Sequence, residues 1–160
     1  MTAPRPAVPA DAPEIVGITN LAYAVEAFCL AGDRTDRKDV LELMAGGVFL
    51  VLDGPAGLRG SVYLKATGER GYLGLLAVDP ACQGQGLSSL LMAAGEAWCR
   101  QAGCRFLDLT VVNLRQELFA FYARHGYAPF GTLPFPRPGK VLRPCHLIQF
   151  TKPLVPVDRL

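Results

Sequence analysis

The stretch Val78-Asp79-Pro80-Ala81-Cys82-Gln83-Gly84-Gln85-Gly86-Leu87-Ser88-Ser89-Leu90-Leu91 decides how this chain reads. An apolar run, Tyr72 to Val78, leads into a proline-containing turn and two glycines. Leu87, Leu90, Leu91, Ala94 and Trp98 then recur at helical spacing, with Trp98 expected as a core anchor. A strand, a glycine turn and a helix N-terminus in that order can form a backbone cradle for phosphate. The first-turn N–H groups have no intrahelical partner, glycine permits close approach, and the helix dipole favours an anion. The same pattern also serves a plain strand-to-helix connection, in which glycine is only a turn residue. The local pattern does not choose between the two.

With 160 residues the chain suits a single domain over 1–160, with a core at about 11–151 and short tails. A domain of that size buries roughly 70% of its unfolded surface. Hydrophobic residues make up 51% and charged residues only 19%, which excludes a largely disordered chain. The net charge of +2 and the scatter of Lys and Arg leave no footprint for nucleic acid. The densest basic group, Arg34, Arg37 and Lys38, is interleaved with Asp33, Asp36 and Asp39 and reads as a solvated surface. No apolar run reaches the ~18 residues of a membrane span, and Met1 to Pro6 lack the apolar core of a signal peptide. These features predict a soluble, cytoplasmic protein with neither a membrane nor a nucleic-acid partner. The cysteines, Cys29, Cys82, Cys99, Cys104 and Cys145, are odd in number and form no C-x-x-C pair. His125 and His146 lack ligand spacing to them, so neither a disulfide framework nor a metal site is expected. Cys82 stands beside a predicted helix N-terminus, which would either lower its pKa or leave it a structural thiol.

Upstream, Asp11 is placed to cap a first helix, with Pro13 in its first turn and Ile15, Ile18, Leu21, Ala22 and Val25 on its inward face. Gly32-Asp33 breaks it. Asp36 or Asp39 starts a short second helix through Val40, Leu41, Leu43 and Met44, ended by Gly46-Gly47. Val48 to Leu52, Arg59 to Ala66 and Tyr72 to Val78 read as an antiparallel meander. Downstream, the helix from Leu87 stops before Gly103, and Phe106 to Val112 alternates as a central strand. Leu118, Phe119, Phe121 and Tyr122 belong to a further helix ending at His125-Gly126, and Tyr127 to Thr132 and Cys145 to Thr151 close the sheet. Leu133 to Pro144 is a Pro-rich loop too long for a simple turn. The order ααβββαβαββ predicts an α/β fold with helices packed on a mixed sheet.

This order, with two motifs, resembles the GNAT superfamily of N-acetyltransferases over about residues 11–151. That family's acyl-CoA signature (Gln or Arg, two residues, Gly, one residue, Gly or Ala) maps onto Gln83-Gly84-Gln85-Gly86-Leu87-Ser88, with Ser88 departing at the last position. The segment Phe121-Tyr122-Ala123-Arg124-His125-Gly126-Tyr127 is similar to the family's aromatic-Tyr-x-x-x-Gly-aromatic ending. The resemblance implies a GNAT-like fold whose central strands splay around an acyl-CoA. It implies an N-acyltransferase that moves an acetyl group from acetyl-CoA to a primary amine by direct attack in a ternary complex, with no metal. Gln83, Gly84, Gln85, Gly86, Leu87 and Ser88 would hold the pyrophosphate. Leu76, Ala77 and Val78 would take the pantetheine arm, with a backbone N–H near Leu76 on the thioester carbonyl. Tyr122 would protonate the leaving thiolate.

The family often places an Asn seven residues before the motif tyrosine. Arg115 stands there, and Asn113, two residues earlier, becomes the candidate for the pantetheine arm. The strand glutamate that serves many members as general base has no counterpart in Tyr72-Leu73-Gly74-Leu75-Leu76, which leaves Glu26, Asp36 and Glu117 as candidates. Phe135, Pro136 and Arg137 would lie near the acceptor mouth. The acceptor, a small-molecule or peptide amine, is not named by the resemblance. A CoA-binding sensor or subunit without catalysis is the alternative, favoured by the missing glutamate and opposed by Tyr122. A generic mononucleotide binder is opposed by the absence of a P-loop lysine after Gly86. The short last strand offers an edge through which a homodimer could form.

Overall fold

Phe49, Leu50, Val51 and Leu52 are all buried, yet they belong to two different cores: Leu50 and Leu52 join one apolar cluster, Phe49 and Val51 the other. A strand with period-two side chains can do this only where helices cover both faces of its sheet, which is why the run reads as continuous rather than alternating. In the computed structural model, which describes residues 3–159, that strand is β2 (Val48–Gly54). The neighbouring strand β3 (Gly57–Thr67) splits likewise, with Val62 and Leu64 facing one core and Tyr63 the other. Helices α1 (Ala12–Tyr23) and α2 (Arg37–Gly46) cover one face through Ala12, Ile15 and Val40. Helix α3 (Leu87–Gln101) covers the other through Leu87, Leu91, Met92 and Cys99, and α4 (Glu117–Arg124) packs beside it through Tyr122.

Three further strands, β4 (Arg70–Val78), β5 (Phe106–Val112) and β7 (His146–Pro153), continue the sheet, with β1 (Arg5–Pro6) and β6 (Ala128–Pro134) at its edges. The spatial order is β1-β2-β3-β4-β5-β7-β6. The pair β4–β5 is parallel and all the others are antiparallel, so the expected mixed sheet is present. The two-residue β1 was not expected. It carries no periodic signal and is anchored by charge: Arg5 donates to the Asp53 carboxylate of β2 at 2.6 and 2.9 Å. Arg5 also donates to Asp11 at 2.9 and 3.1 Å.

Several local expectations are corrected. Asp11 does not cap α1; its carboxylate reaches back to the Val8 N–H at 2.8 Å and to Arg5. Leu21 and Val25 are exposed, because α1 turns its inward face through Ala12, Ile15, Ile18 and Thr19 and ends at Tyr23. Asp36, rather than Asp39, caps α2 by accepting the Asp39 N–H at 2.8 Å. On α3 the buried stripe is Leu87, Leu91, Met92, Gly95 and Cys99, with Trp98 on its half-buried flank. Strand β6 runs on to Pro134, so the Pro-rich loop begins at Phe135.

What positions the site is the way β4 leaves β5. Their ladder holds only at Arg70↔Phe106, Gly71↔Leu107 and Tyr72↔Asp108. Beyond it β5 stays paired with β7 up to Val112↔Leu147, while β4 stays with β3. The β3–β4 register slips by one residue there, from Tyr63↔Gly74 to Ser61↔Ala77, so Leu75 and Leu76 together oppose Val62. Leu75 sits at φ 50°, in the left-handed region that a leucine occupies at a cost of about 1–3 kcal/mol. A bulge bends its strand and sharpens the twist, and the bend coincides with the parting of the two parallel strands.

Gly47 shows how tightly α2 is joined to the sheet. Its backbone is extended, at φ −163°, so the glycine is not required for a left-handed turn. A Cβ there would instead collide with the Leu64 carbonyl oxygen of β3. Gly47→Ala is therefore expected to destabilise the fold by about 1–3 kcal/mol, the usual cost of overpacking. A lower urea midpoint with an unchanged m-value would report it, and an unchanged midpoint would mean that β3 yields without strain.

Candidate active site

The glycine turn is built for an anion. Gly84 and Gly86 hold φ of 79° and 76°, and an added Cβ at either would meet no atom within 4 Å. Gly86 is the N-cap of α3, and no side chain caps that helix, so its first-turn N–H groups are left for a ligand. They open on a cavity of about 390 Å³ walled by Gln83, Gly84, Gly86, Leu87 and Ser88, and on its other sides by Leu76 and Val78 of β4 and Tyr122 of α4. The expected residues Ala77 and Gln85 do not line it. Ala77 is buried, and Gln85 turns outward to accept from the Arg59 guanidinium at 2.7 Å. Cys82 does line it, from a one-turn helix at Pro80–Cys82 whose start is capped by Asp79 on the Ala81 N–H.

A second cavity, about 140 Å³, lies where the strands part, between Tyr72 to Leu76 of β4 and Leu109 to Val112 of β5. It shares Tyr23, Leu76, Leu118 and Tyr122 with the first, so the two meet on a wall containing the bulge and the motif tyrosine. A third, about 180 Å³, adjoins the second through Tyr23, Glu26, Leu30, Arg34, Phe135 and Arg137. The Pro-rich loop is thereby part of the site and not merely a connection. It is stitched to the loop after α1 by an antiparallel bridge at Leu30↔Val141 and by backbone bonds from Ala31 to Lys140 and from Leu142 to Cys29, both 2.8 Å.

Between the cavities stands a buried ion pair. Arg115 donates to Glu26 at 2.9 Å and to Glu117 at 2.6 Å, and the Arg115 and Glu26 side chains are only 15% and 9% exposed. Arg115 thus occupies the cleft. Asn113 is not brought into it, because its side chain accepts from the His146 N–H at 2.9 Å and joins β5 to β7. Of the three candidate bases, Glu26 alone lines a cavity. Asp36 is the α2 cap, and Glu117 is a largely exposed partner of Arg115, which holds its carboxyl below the usual range.

Tyr122 is 8% exposed, and its ring packs edge-on against Phe121 at 5.1 Å and Tyr127 at 6.0 Å. Burial pushes its phenol up to about 12. A raised folded-state pKa means that this group's contribution to stability is complete below about pH 10, the ordinary tyrosine value, and is lost as pH rises through 12. Across the neutral range it is a donor.

Two features lay beyond the sequence reading. Tyr23, the last residue of α1, borders all three cavities. His125 joins α4 to the cradle: its Nδ1 donates to the Phe121 carbonyl at 2.8 Å, which leaves Nε2 to accept from the Ser89 hydroxyl at 2.9 Å. Among the described residues no cluster of His, Cys, Asp or Glu could hold a metal ion, and no helix is long and apolar enough to cross a membrane.

The model of the Acetyltransferase (GNAT) family matches residues 19–127, which include the cradle and the motif tyrosine. The chain belongs to that family. It is an acetyltransferase, and the family draws its acetyl group from acetyl-CoA. The fold recurs in solved structures. The chain is similar to a putative phosphinothricin N-acetyltransferase (TM-score 0.77, 19% identity, covering 96% of this chain and 99% of that one). It is also similar to the ribosomal-protein-S18-alanine N-acetyltransferase of Escherichia coli (TM-score 0.76, 18% identity, 100% and 99% covered). A nourseothricin acetyltransferase gives a TM-score of 0.74 at 18% identity, with 95% and 98% covered. No curated protein matches the sequence.

A side chain at Gly86 would act through the backbone. Because the space there is open, valine would not clash with the protein; it would be forced out of a left-handed conformation that β-branched residues avoid. Gly86→Val should therefore displace the first-turn N–H groups and weaken CoA binding about tenfold or more by calorimetry, while the free protein still folds with a melting temperature a few degrees lower. Equal affinity in the variant would remove the turn from the binding site.

Proposed function

We propose that this acetyltransferase moves the acetyl group to a primary amine by direct attack, on the wall where the first two cavities meet. The observation that supports this reading most is that Leu76 and Tyr122 border both cavities: one side offers a cradle for an anion, the other a separate space for an acceptor. An entering acyl-CoA supplies a thioester, a carbonyl already activated toward amines.

The chain's own groups divide the remaining work. The uncapped first turn of α3, with Gly84, Gly86 and Ser88, binds the pyrophosphate. The parted length of β4, which has no strand on its β5 side beyond Tyr72, offers backbone to the pantetheine arm as a partner strand would. The N–H of Leu76, at the bulge, holds the carbonyl oxygen as it gains negative charge. Glu26 faces the acceptor side and takes the proton from the attacking amine, directly or through water. The Arg115 partnership fixes the position of this carboxylate.

Tyr122 donates to the departing sulfur. Its pKa of about 12 makes it a weaker acid than a thiol such as that of CoA, taken at about 8.5 for free Cys. It therefore contributes a hydrogen bond that strengthens as thiolate forms, rather than a complete transfer. Its effect belongs at the low end of the usual range for general acids, ~10²-fold.

Tyr122→Phe keeps the ring and its packing, so the fold is expected to survive. It should lower kcat about 10²-fold and leave KM for acetyl-CoA nearly unchanged, as for a contact made only in the transition state. Steady-state CoA release under conditions where chemistry limits turnover measures it. Wild-type kcat in the variant would make Tyr122 a structural residue.

A further inference from the structure

Two arginines line the second and third cavities with no carboxylate of their own among the described residues. Arg34 and Arg137 both border the second and third cavities, and among the described residues neither forms a salt bridge. The sequence pattern around Arg34 reads as a solvated charge run, but the chain folds it inward. Its backbone N–H donates to Asn20 Oδ1 of α1 at 2.9 Å, and the guanidinium lies over the Tyr23 ring, 5.3 Å from the centroid. A stem held at its base and a guanidinium resting on an aromatic ring lose little freedom on binding. Arg137 approaches from the Pro-rich loop, whose Lys140 also borders the third cavity and donates to the Asp33 carbonyl at 2.7 Å.

The balance of charge there is positive. The charge of Glu26 is balanced by Arg115, and among the described residues Asp33 is the other carboxylate lining the third cavity with Arg34, Arg137 and Lys140. A guanidinium beside a half-enclosed cavity is the group that recognises a carboxylate in two-point fashion. Glu26 and Tyr122 line the second cavity together with Arg34 and Arg137, and Leu30 and Phe135 add apolar wall.

We infer that the acceptor is a small amine that also carries a carboxylate, an amino acid or a close relative, with its carboxylate on Arg34 and Arg137 and its amine toward Glu26 and Tyr122. This rests on the amine-acetylation reading given above. The two guanidiniums are binding and specificity residues. Each charged hydrogen bond lost with one of them is worth roughly ten- to a hundredfold in kcat/KM for the acid.

The test is CoA release from acetyl-CoA with a panel of L-amino acids, each beside its carboxamide and its decarboxylated amine. At least one acid should exceed both neutral relatives tenfold or more in kcat/KM. Arg34→Gln and Arg137→Gln should lower kcat/KM for that acid ten- to a hundredfold and bring its ratio to the amide toward one, and Arg34→Lys should restore part of the ratio. Arg137 is exposed, so its variant keeps the test valid if Arg34→Gln disturbs the loop. Turnover of amides or plain amines equal to or better than the acids would overturn this inference and leave amine acetylation standing. Binding of CoA with no release on any amine of the panel would overturn both.

Discussion

Strands β4 and β5 are held side by side over three residue pairs and then part, and the site depends on that separation. The closed end is clamped. Arg70 donates twice to the Asp108 carboxylate, at 2.7 Å each, and Thr151 of β7 donates to the same carboxylate at 2.7 Å, so three strands are fixed at one point. The open end is held apart by two different demands. Strand β5 continues its ladder with β7, while β4 takes an extra residue at Leu75–Leu76 and follows β3. A left-handed leucine is an unfavourable way to build a sheet. It persists here because β3 on one side and the helices on both faces determine the path of β4.

The gap in the sheet sets where everything else must stand. Helix α3 follows β4 through the turn over 79–86, which brings its uncapped first turn to the cavity bordered by Leu76 and Val78. Helix α4 follows β5 and carries Tyr122 to the wall that both cavities share. The loop after α1 and the Pro-rich loop, bridged at Leu30↔Val141, close the acceptor side. Arg115 spans these parts by holding Glu26 from the first layer and Glu117 from α4. Glu26 is nearly buried and has Arg115 as its ion-pair partner, so losing Arg115 would strand its charge, a cost of about 3–5 kcal/mol. The pair thus couples the loop after α1 to the start of α4.

Much of this was legible in the sequence, for identifiable reasons. Buried strands give unbroken apolar runs, and the glycines at 84 and 86 mark a turn that only residues tolerant of positive φ can make. The order of elements and the placement of the cradle follow from those signals. The parting of β4 from β5 is less legible: Gly74 inside the strand is a bulge signal, but the left-handed residue is its neighbour Leu75, which is not the glycine such a position prefers. The edge strand Arg5–Pro6 is too short for any pattern. On the acceptor side, Arg34 looks like one charge in a solvated run until Asn20 and Tyr23 fold it inward. Tyr23 falls inside the expected first helix, between Ala22 and Val25 of its apolar stripe, with no signal of its own. Asn113 is the opposite case, a residue suited to a ligand whose side chain is engaged with the backbone of His146.

The proposed function places the acyl-CoA arm along the parted length of β4 as a partner strand. Hydrogen exchange of the peptide spanning residues 73–79, with and without saturating CoA, tests it most directly. Strand β4 is paired with β3 along this stretch except at the bulge, so part of its exchange is already slow. Added protection is expected there on CoA binding, together with protection of residues 83–90 at the cradle. Protection confined to the cradle, with residues 73–79 exchanging as before, would contradict it.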